Sequence, residues 1–172
     1  NQTTQLATDT QAIADYLKSV MIQFYKLDVS TVATHFADTR DTLCYATNDN
    51  QTAVTRLLQT EADFAVVIGG YNSSNTSHLV ELCEQKLPTY FIDNANKLIS
   101  RDELIHCNWQ TKVLETITNF LPNNQPVKIL ITSGASCPDA VVEEVIRKLA
   151  SFFEVEEMID KIVVEFEDLK IA

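Results

Sequence analysis

Three runs rich in apolar residues predict strands that are covered on both faces. The runs fall at residues 63–68, 88–93 and 127–132, and continuous apolar runs of this length are typical of strands inside a parallel sheet. Between these runs, apolar residues recur at helical spacing. Strands that alternate with helices predict the α/β class, here a three-layer α/β/α domain with a mostly parallel sheet.

The helices and the less regular segments follow from the same patterns. We predict helices over 9–26, 48–60 and about 74–86, and a fourth that has Pro138 at its first position and runs to about residue 153. The remaining predictions are an extended segment within 34–45, a helical patch around 100–104, a helix within 106–126 and an edge strand over 161–166. Residues 106–126 have the least regular pattern of the chain.

The charge balance narrows the range of partners. The chain has a net charge of −11, with 45% hydrophobic and 22% charged residues, which is ordinary for a soluble globular protein. Strong acidity argues against nucleic acid and anionic membranes as partners, because both reward Lys and Arg. No apolar run reaches the roughly 18–20 residues that cross a bilayer, and the start does not resemble a secretory signal. We therefore expect a cytoplasmic protein, and any phosphate site must use backbone N–H groups and hydroxyls.

The cysteines give little evidence for disulfides or zinc. Cys44, Cys83, Cys107 and Cys137 form no Cys-x-x-Cys pair, which excludes zinc-finger and thioredoxin patterns. Without a secretory signal, disulfides are not expected. For each cysteine, the alternative to a functional role is a small buried apolar side chain.

All three glycines of the chain lie where a predicted strand gives way to a helix. Gly69 and Gly70 precede Ser73, Ser74 and Asn75, and Gly134 precedes Ser136. Ligands bind at the carboxyl ends of parallel strands, and helix N-termini favour anions. These loops therefore predict a phosphate-binding cradle made of neutral donors. The alternative is that they are ordinary turns and helix caps.

Cys44 occupies a comparable position. It follows the predicted extended segment and precedes the helix that starts near Asn48, so it should lie at the same edge of the sheet. An exposed thiol at that place is a candidate nucleophile or metal ligand. A single cysteine cannot hold a metal cluster, so a ligand role needs partners from outside this chain.

Several segments resemble, in the right order, the motifs of the 4-hydroxy-3-methylbut-2-enyl diphosphate reductase (IspH/LytB) family. They are Gln2-Thr3-Thr4, Thr42-Leu43-Cys44-Tyr45-Ala46-Thr47, Gly69-Gly70-Tyr71-Asn72-Ser73-Ser74-Asn75-Thr76-Ser77 and Ser133-Gly134-Ala135-Ser136-Cys137-Pro138-Asp139. The resemblance spans nearly the whole chain. The spacing from the first segment to Cys44 is similar to the longer plant and cyanobacterial variety.

The resemblance implies an iron–sulfur oxidoreductase of isoprenoid biosynthesis. The family reductively dehydroxylates an allylic diphosphate to isopentenyl and dimethylallyl diphosphate, using a 4Fe–4S cluster held by three cysteines and an external electron donor of the ferredoxin or flavodoxin type. Cys44 matches one cluster ligand, and Thr3 matches a catalytic threonine beside the reacting end of the substrate. The residues that match the diphosphate-binding positions are Ser73, Ser74, Asn75 and Ser136.

The resemblance also implies a division of the chain. The family has three similar α/β domains around a central cluster, so residues 1–39 would be the helical end of the second domain and residues 40–172 the third. The other cluster cysteines and the proton-donating glutamate belong to a missing N-terminal part. We therefore expect the fragment alone to be inactive and to lack the cluster. A phosphate-binding α/β module without a redox role, in which Cys44 is merely packed, is the alternative.

Two residues depart from the family's pattern. Asn50 stands where the family usually has Arg, and we expect a local packing change there rather than lost activity. Cys137 stands where the family usually has Ala or Thr. We interpret Cys137 as a small residue that fills space rather than as a fourth cluster ligand.

Overall fold

A computed structural model of the chain describes residues 6–28, 30–36, 45–123 and 126–171. The helices are α1 (Ala7–Tyr25), α2 (Tyr45–Leu57), α3 (Ser74–Glu84), α4 (Asp139–Ser151) and α5 (Glu156–Ile171). The strands are β1 (Phe64–Ile68), β2 (Thr89–Ile92), β3 (Glu103–Cys107), β4 (Leu114–Thr118) and β5 (Ile129–Ser133). Short 3-10 turns occupy Val32–Thr34 and Ala95–Lys97.

The three apolar runs form one parallel sheet in the order β2-β1-β5, as the sequence predicts. The central strand β1 is buried along its whole length. Its residues Ala65 and Val67 pack toward α2 and α3, while Phe64, Val66 and Ile68 pack toward α4. Helices therefore cover both faces of the sheet, which confirms the predicted α/β class.

The register of the sheet brings the carboxyl ends of its strands together. Ile68 pairs with Ile92 of β2 and with Ser133 of β5. The loops that follow β1 and β5 therefore leave the same edge of the sheet side by side, each leading directly into a helix.

The helical predictions for residues 100–104 and 106–126 are wrong. The chain there forms an antiparallel hairpin of β3 and β4, in which Leu104 pairs with Ile117. The apolar positions 113, 114, 117 and 120 fit helical spacing, but Thr116, Ile117 and Thr118 are β-branched and favour a strand. Contact with the main sheet decides the outcome, because the backbone N–H of Phe91 in β2 donates to Nδ1 of the buried His106 at 3.0 Å.

The edge strand predicted over 161–166 is also wrong, because α5 occupies these residues. Over the longer window, Met158, Ile162 and Leu169 lie at helical spacing, and the local alternation near Val163 misled the prediction. The N-cap of α3 is Ser73. Pro138 likewise lies at the N-cap position of α4, one residue before the predicted place.

The helices predicted over 9–26, 48–60 and 74–86 are present as α1, α2 and α3, with ends that differ by a few residues. The apolar face of α1 stays exposed at Ile13, Tyr16, Leu17 and Phe24. Most of the predicted extended segment lies outside the described residues. Over the described part of the chain, every helix is too short or too polar to serve as a membrane span.

Candidate functional site

Two loops meet at the carboxyl edge of the sheet. The β1–α3 loop comprises residues 69–73, and the β5–α4 loop comprises residues 134–138. Gly134 N–H donates to the carbonyl oxygen of Ile68 at 2.9 Å, and Gly69 N–H donates to that of Ile92 at 3.0 Å. These bonds continue the strand pairing by one residue and hold the beginnings of the loops in place.

Thr76, in the first turn of α3, packs between the two loops. It is fully buried. A Cβ atom on Gly69 would lie 2.8 Å from Thr76 Oγ1, and one on Gly134 would overlap the same hydroxyl. Gly69 also has a φ of 155°, which disfavours other residues. Both glycines are therefore required for the helix to approach the sheet edge this closely.

Ser73 begins α3. Its hydroxyl oxygen accepts a hydrogen bond from the backbone N–H of Thr76 at 3.2 Å, and its own N–H donates to the carbonyl oxygen of Gly70 at 2.9 Å. A Ser at this position stabilises the helix start, and its hydroxyl proton remains available. Ser74, next along the chain, is exposed.

Asn75 is the most unusual residue of the site. Both polar atoms of its side-chain amide are buried, and neither has a hydrogen-bond partner among the described residues. The hydroxyl of the neighbouring Thr76 is also buried and also has no hydrogen-bond partner among the described residues. Burying an unpaired polar group costs about 1–3 kcal/mol. Unpaired donors at the positive end of a helix indicate a place prepared for a polar, anionic ligand.

The β5–α4 loop presents Ser136 to solvent, and its neighbour Cys137 faces inward. Cys137 N–H donates to the carbonyl oxygen of Gly134 at 2.9 Å, which closes a tight turn. Cys137 packs against the apolar cluster beneath α4. Burial and the nearby Asp139 raise the pKa of its thiol, so it stays protonated, in agreement with a space-filling role.

Helix α2 is joined to this edge through Asn50. The side-chain N–H of Asn50 donates to the carbonyl oxygen of Ser133 at 3.1 Å. Asn50 therefore ties the first half of α2 to the end of β5, and a longer Arg side chain would pack differently there. Cys44 immediately precedes α2, but Cys44 and Thr3 lie outside the described residues, so their predicted roles stay predictions.

Two of the described cysteines are core residues. Cys83 and Cys107 are fully buried. Burial raises the pKa of Cys83 to about 11 and also raises that of Cys107, because the apolar surroundings disfavour the thiolate. Within the described ranges, no group of three or more His, Cys, Asp or Glu residues is placed to hold a metal ion.

The histidines of the described region contact other groups of the protein. His106 accepts the Phe91 N–H, and burial lowers its pKa. His78 lies beside the β1–α3 loop, with its Nδ1 3.4 Å from Glu81 Oε2 on the same helix. His35 contacts the hydroxyl of Thr34.

Two residues near the site were missed by sequence reasoning. Burial, together with the nearby Asp93, raises the pKa of Tyr71, so its phenol keeps its proton. The ammonium of Lys112, in the turn between β3 and β4, donates to the carbonyl oxygen of Tyr71 at 2.8 Å. The sequence could not connect Lys112 with the β1–α3 loop, because the segment that contains Lys112 was predicted to be a helix.

The comparisons with known proteins agree with this architecture. The family described as "LytB protein" matches residues 1–150. The 4-hydroxy-3-methylbut-2-enyl diphosphate reductase of Gloeobacter violaceus is 41% identical over 150 residues, which cover 87% of this chain and 35% of the relative. The enzyme of the same name from Thermosynechococcus vestitus is 42% identical over 152 residues, covering 87% and 36%. The chain thus spans about a third of the length of these relatives.

A solved structure gives independent support for the fold alone. The E-1-hydroxy-2-methyl-but-2-enyl-4-diphosphate reductase from Plasmodium falciparum is similar with a TM-score of 0.52 and 22% identity, over 86% of this chain and 37% of that chain. The fold and the two loops define an α/β protein in which two glycine- and serine-containing loops meet at the carboxyl edge of a parallel sheet. The family match places it further: the chain belongs to the LytB family.

Proposed function

We propose that residues 40–172 form the diphosphate-binding domain of an enzyme that reductively dehydroxylates 4-hydroxy-3-methylbut-2-enyl diphosphate to isopentenyl and dimethylallyl diphosphate. Membership of the LytB family and the names of the relatives support this reaction. The observation that carries the assignment of the site is the buried, unpaired amide of Asn75 at the start of α3.

The diphosphate would be held by neutral groups. The first backbone N–H groups of α3 and its dipole favour the anion. The Asn75 amide can donate to a phosphate oxygen. The hydroxyls of Ser73 and Ser136 lie on the two loops that meet there, and that of Ser74 lies on the first residue of α3. Neutral donors suit a chain whose net charge is −11, because they require no cluster of Lys or Arg.

The redox part of the proposal depends on residues beyond the described ranges. Cys44 would supply one ligand to a 4Fe–4S cluster, with further thiolates from the rest of the intact protein. The cluster would supply the electrons, received from a ferredoxin or flavodoxin type of donor, and Thr3 would lie beside the reacting end of the substrate. We expect this chain alone to be inactive and the intact enzyme to be cytoplasmic.

The proposal also assigns residues 1–39 to the end of a preceding domain. The exposed apolar face of α1 supports this assignment, since Tyr16 and Phe24 are 68% and 77% exposed. A helix that belonged to the α/β domain would be expected to bury that face against the sheet.

Binding of inorganic pyrophosphate tests the site directly. Asn75→Asp replaces the amide by a carboxylate of the same shape, which repels the anion, and we expect the dissociation constant to rise about tenfold or more. The matched control is Asn123→Asp, which makes the same change at an exposed position before β5. Isothermal titration calorimetry that gives equal affinities for the two variants would refute the assignment of Asn75.

A second candidate is a phosphate-binding module without redox chemistry. It is favoured by the buried, unpaired amide of Asn75 at the start of α3, because an anion bound there would need no redox group. Anaerobic reconstitution of the intact protein with iron and sulfide separates the two functions. The reductase predicts bound iron that is lost in Cys44→Ala, and an intact protein that binds no iron would leave the second candidate.

A further inference from the structure

The turn between β3 and β4 has a fixed and unusual backbone. Asn108 N–H donates to the carbonyl oxygen of Val113 at 2.9 Å, and Lys112 N–H donates to that of Asn108 at 2.8 Å. The side-chain oxygen of Asn108 accepts from Gln110 N–H and Thr111 N–H, each at 3.1 Å. Lys112 has a φ of 59°, which is unfavourable for a residue with a side chain. Backbone conformations of this kind persist where the surrounding contacts hold them in place.

The Lys112 ammonium joins two parts of the β1–α3 junction. It donates to the carbonyl oxygen of Tyr71 at 2.8 Å and to the hydroxyl oxygen of Ser77 at 3.1 Å. Tyr71 precedes the Ser73-Ser74-Asn75 segment, and Ser77 follows it. Both bonds are charge-assisted and are therefore stronger than neutral ones. One side chain thus fixes both ends of the segment proposed to hold the diphosphate.

Trp109 attaches the same turn to the other end of α3. Its indole N–H donates to Oε2 of Glu84 at 2.8 Å, and its ring packs against the apolar cluster between α3 and the sheet. The turn therefore contacts α3 near both its start and its end. This anchoring limits how far Lys112 can move with respect to the loop.

The cavity next to Lys112 is not assigned a ligand. It has a volume of about 460 Å³ and is lined by Lys112, Ser74, His78 and Trp109, among others. The ammonium of Lys112 already has two protein acceptors. The ammonium therefore stabilises the residues that line the cavity and does not bind a ligand inside it.

We infer that Lys112 is a positioning residue for the diphosphate loop. It does not touch the ligand in this account. It keeps the Tyr71 carbonyl and the first turn of α3 at a fixed separation, so that the N–H groups and the Asn75 amide are preorganised before binding. It also places a positive charge beside the loop in a strongly acidic chain. The inference rests on the proposed function, because it presumes that the loop binds a diphosphate.

The test uses three variants of the intact protein and inorganic pyrophosphate as the probe. Lys112→Met removes the charge and both hydrogen bonds but keeps the length of the side chain, and we expect pyrophosphate to bind about tenfold more weakly. Lys112→Arg keeps a cation with several donors and should restore affinity to within about threefold of the native value. The control is Lys128→Met. Lys128 is an exposed residue just before β5 that pairs with the exposed Glu61, so its replacement should leave the affinity for pyrophosphate unchanged.

Steady-state kinetics give a second measurement, which would not change if the role of Lys112 were purely structural. Lys112→Met should raise KM for the diphosphate substrate while kcat changes little, because saturating substrate restores the loop. If Lys112→Met does not fold, Ser77→Ala removes one of the two acceptors and should weaken pyrophosphate binding about threefold.

The outcomes separate this inference from the proposed function. If the native protein does not bind pyrophosphate, the proposed function fails and this inference fails with it. If the native protein binds but Lys112→Met or Ser77→Ala binds equally well, the proposed function stands and the role of Lys112 is refuted. Equal losses in Lys112→Met and Lys112→Arg would also refute it, because the cation would then be irrelevant.

Discussion

The two loops at the carboxyl edge of the sheet are built differently. In the β1–α3 loop, Ser73 caps the helix, Lys112 holds the Tyr71 carbonyl, and the Asn75 amide is buried without a partner. In the β5–α4 loop, Ser136 is exposed, and the N-cap residue of α4, Pro138, provides no side-chain hydrogen bond to the helix. On the proposed function, the first loop is preorganised for the diphosphate, whereas the second contributes close backbone packing at Gly134 and one accessible hydroxyl.

The largest expected effect comes from breaking the packing that joins the loops. Gly134→Ala places a methyl group against Thr76, whose hydroxyl it would overlap. Such overpacking destabilises a protein by about 1–3 kcal/mol. The matched control is Gly70→Ala, since a Cβ there would meet nothing within 4 Å, and it should change stability by less than about 0.5 kcal/mol. Urea denaturation measures both, and equal destabilisation would mean that the two loops are not in contact through Thr76.

A smaller effect is expected from the exposed side of the second loop. Ser136→Leu removes the hydroxyl and adds bulk without burying anything, so stability should hold while pyrophosphate binds about tenfold more weakly. Ser19→Leu, at an exposed position of α1, is the control. Unchanged affinity in Ser136→Leu would remove the second loop from the binding site and leave only the first.

The smallest effect concerns the hairpin that supports the first loop. Burial lowers the pKa of His106 in the folded chain, whereas the unfolded chain takes up a proton below about pH 6.5. The contribution of this residue to stability is therefore fully present above that pH and declines as the pH falls toward the folded pKa. Denaturation at several pH values should show this decline in the native chain, and His106→Gln should reduce it. An identical pH dependence in the native chain and in His106→Gln would show that protonation of His106 does not lower the free energy of unfolding.

The sheet could be predicted because its strands carry an unambiguous signal. Runs such as residues 63–68 are apolar on both faces, which suits a strand between two helical layers. The hairpin could not be predicted from the same kind of pattern. Leu114 and Ile117 fit helical spacing, and only the pairing with β3 and the contact between His106 and Phe91 select the strand.

The meeting of the two loops at one edge of the sheet was predictable, but the packing between them was not. The glycines and the Ser-Ser-Asn segment pointed to an anion cradle. The burial of Asn75 depends on how Thr76 packs against Gly69 and Gly134, which is tertiary information. Lys112 is far from the loop in sequence and was hidden by the wrong helix. The roles of Cys44 and Thr3, outside the described residues, stay predictions.

The most direct test of the account observes the Asn75 side chain during binding. Heteronuclear NMR of the 172-residue chain resolves side-chain amide signals, and inorganic pyrophosphate can be titrated into the sample. The account predicts large, saturable shifts of the Asn75 side-chain amide and of the neighbouring backbone N–H groups at the start of α3. Saturable shifts elsewhere in the chain, with the Asn75 signal unmoved, would contradict it.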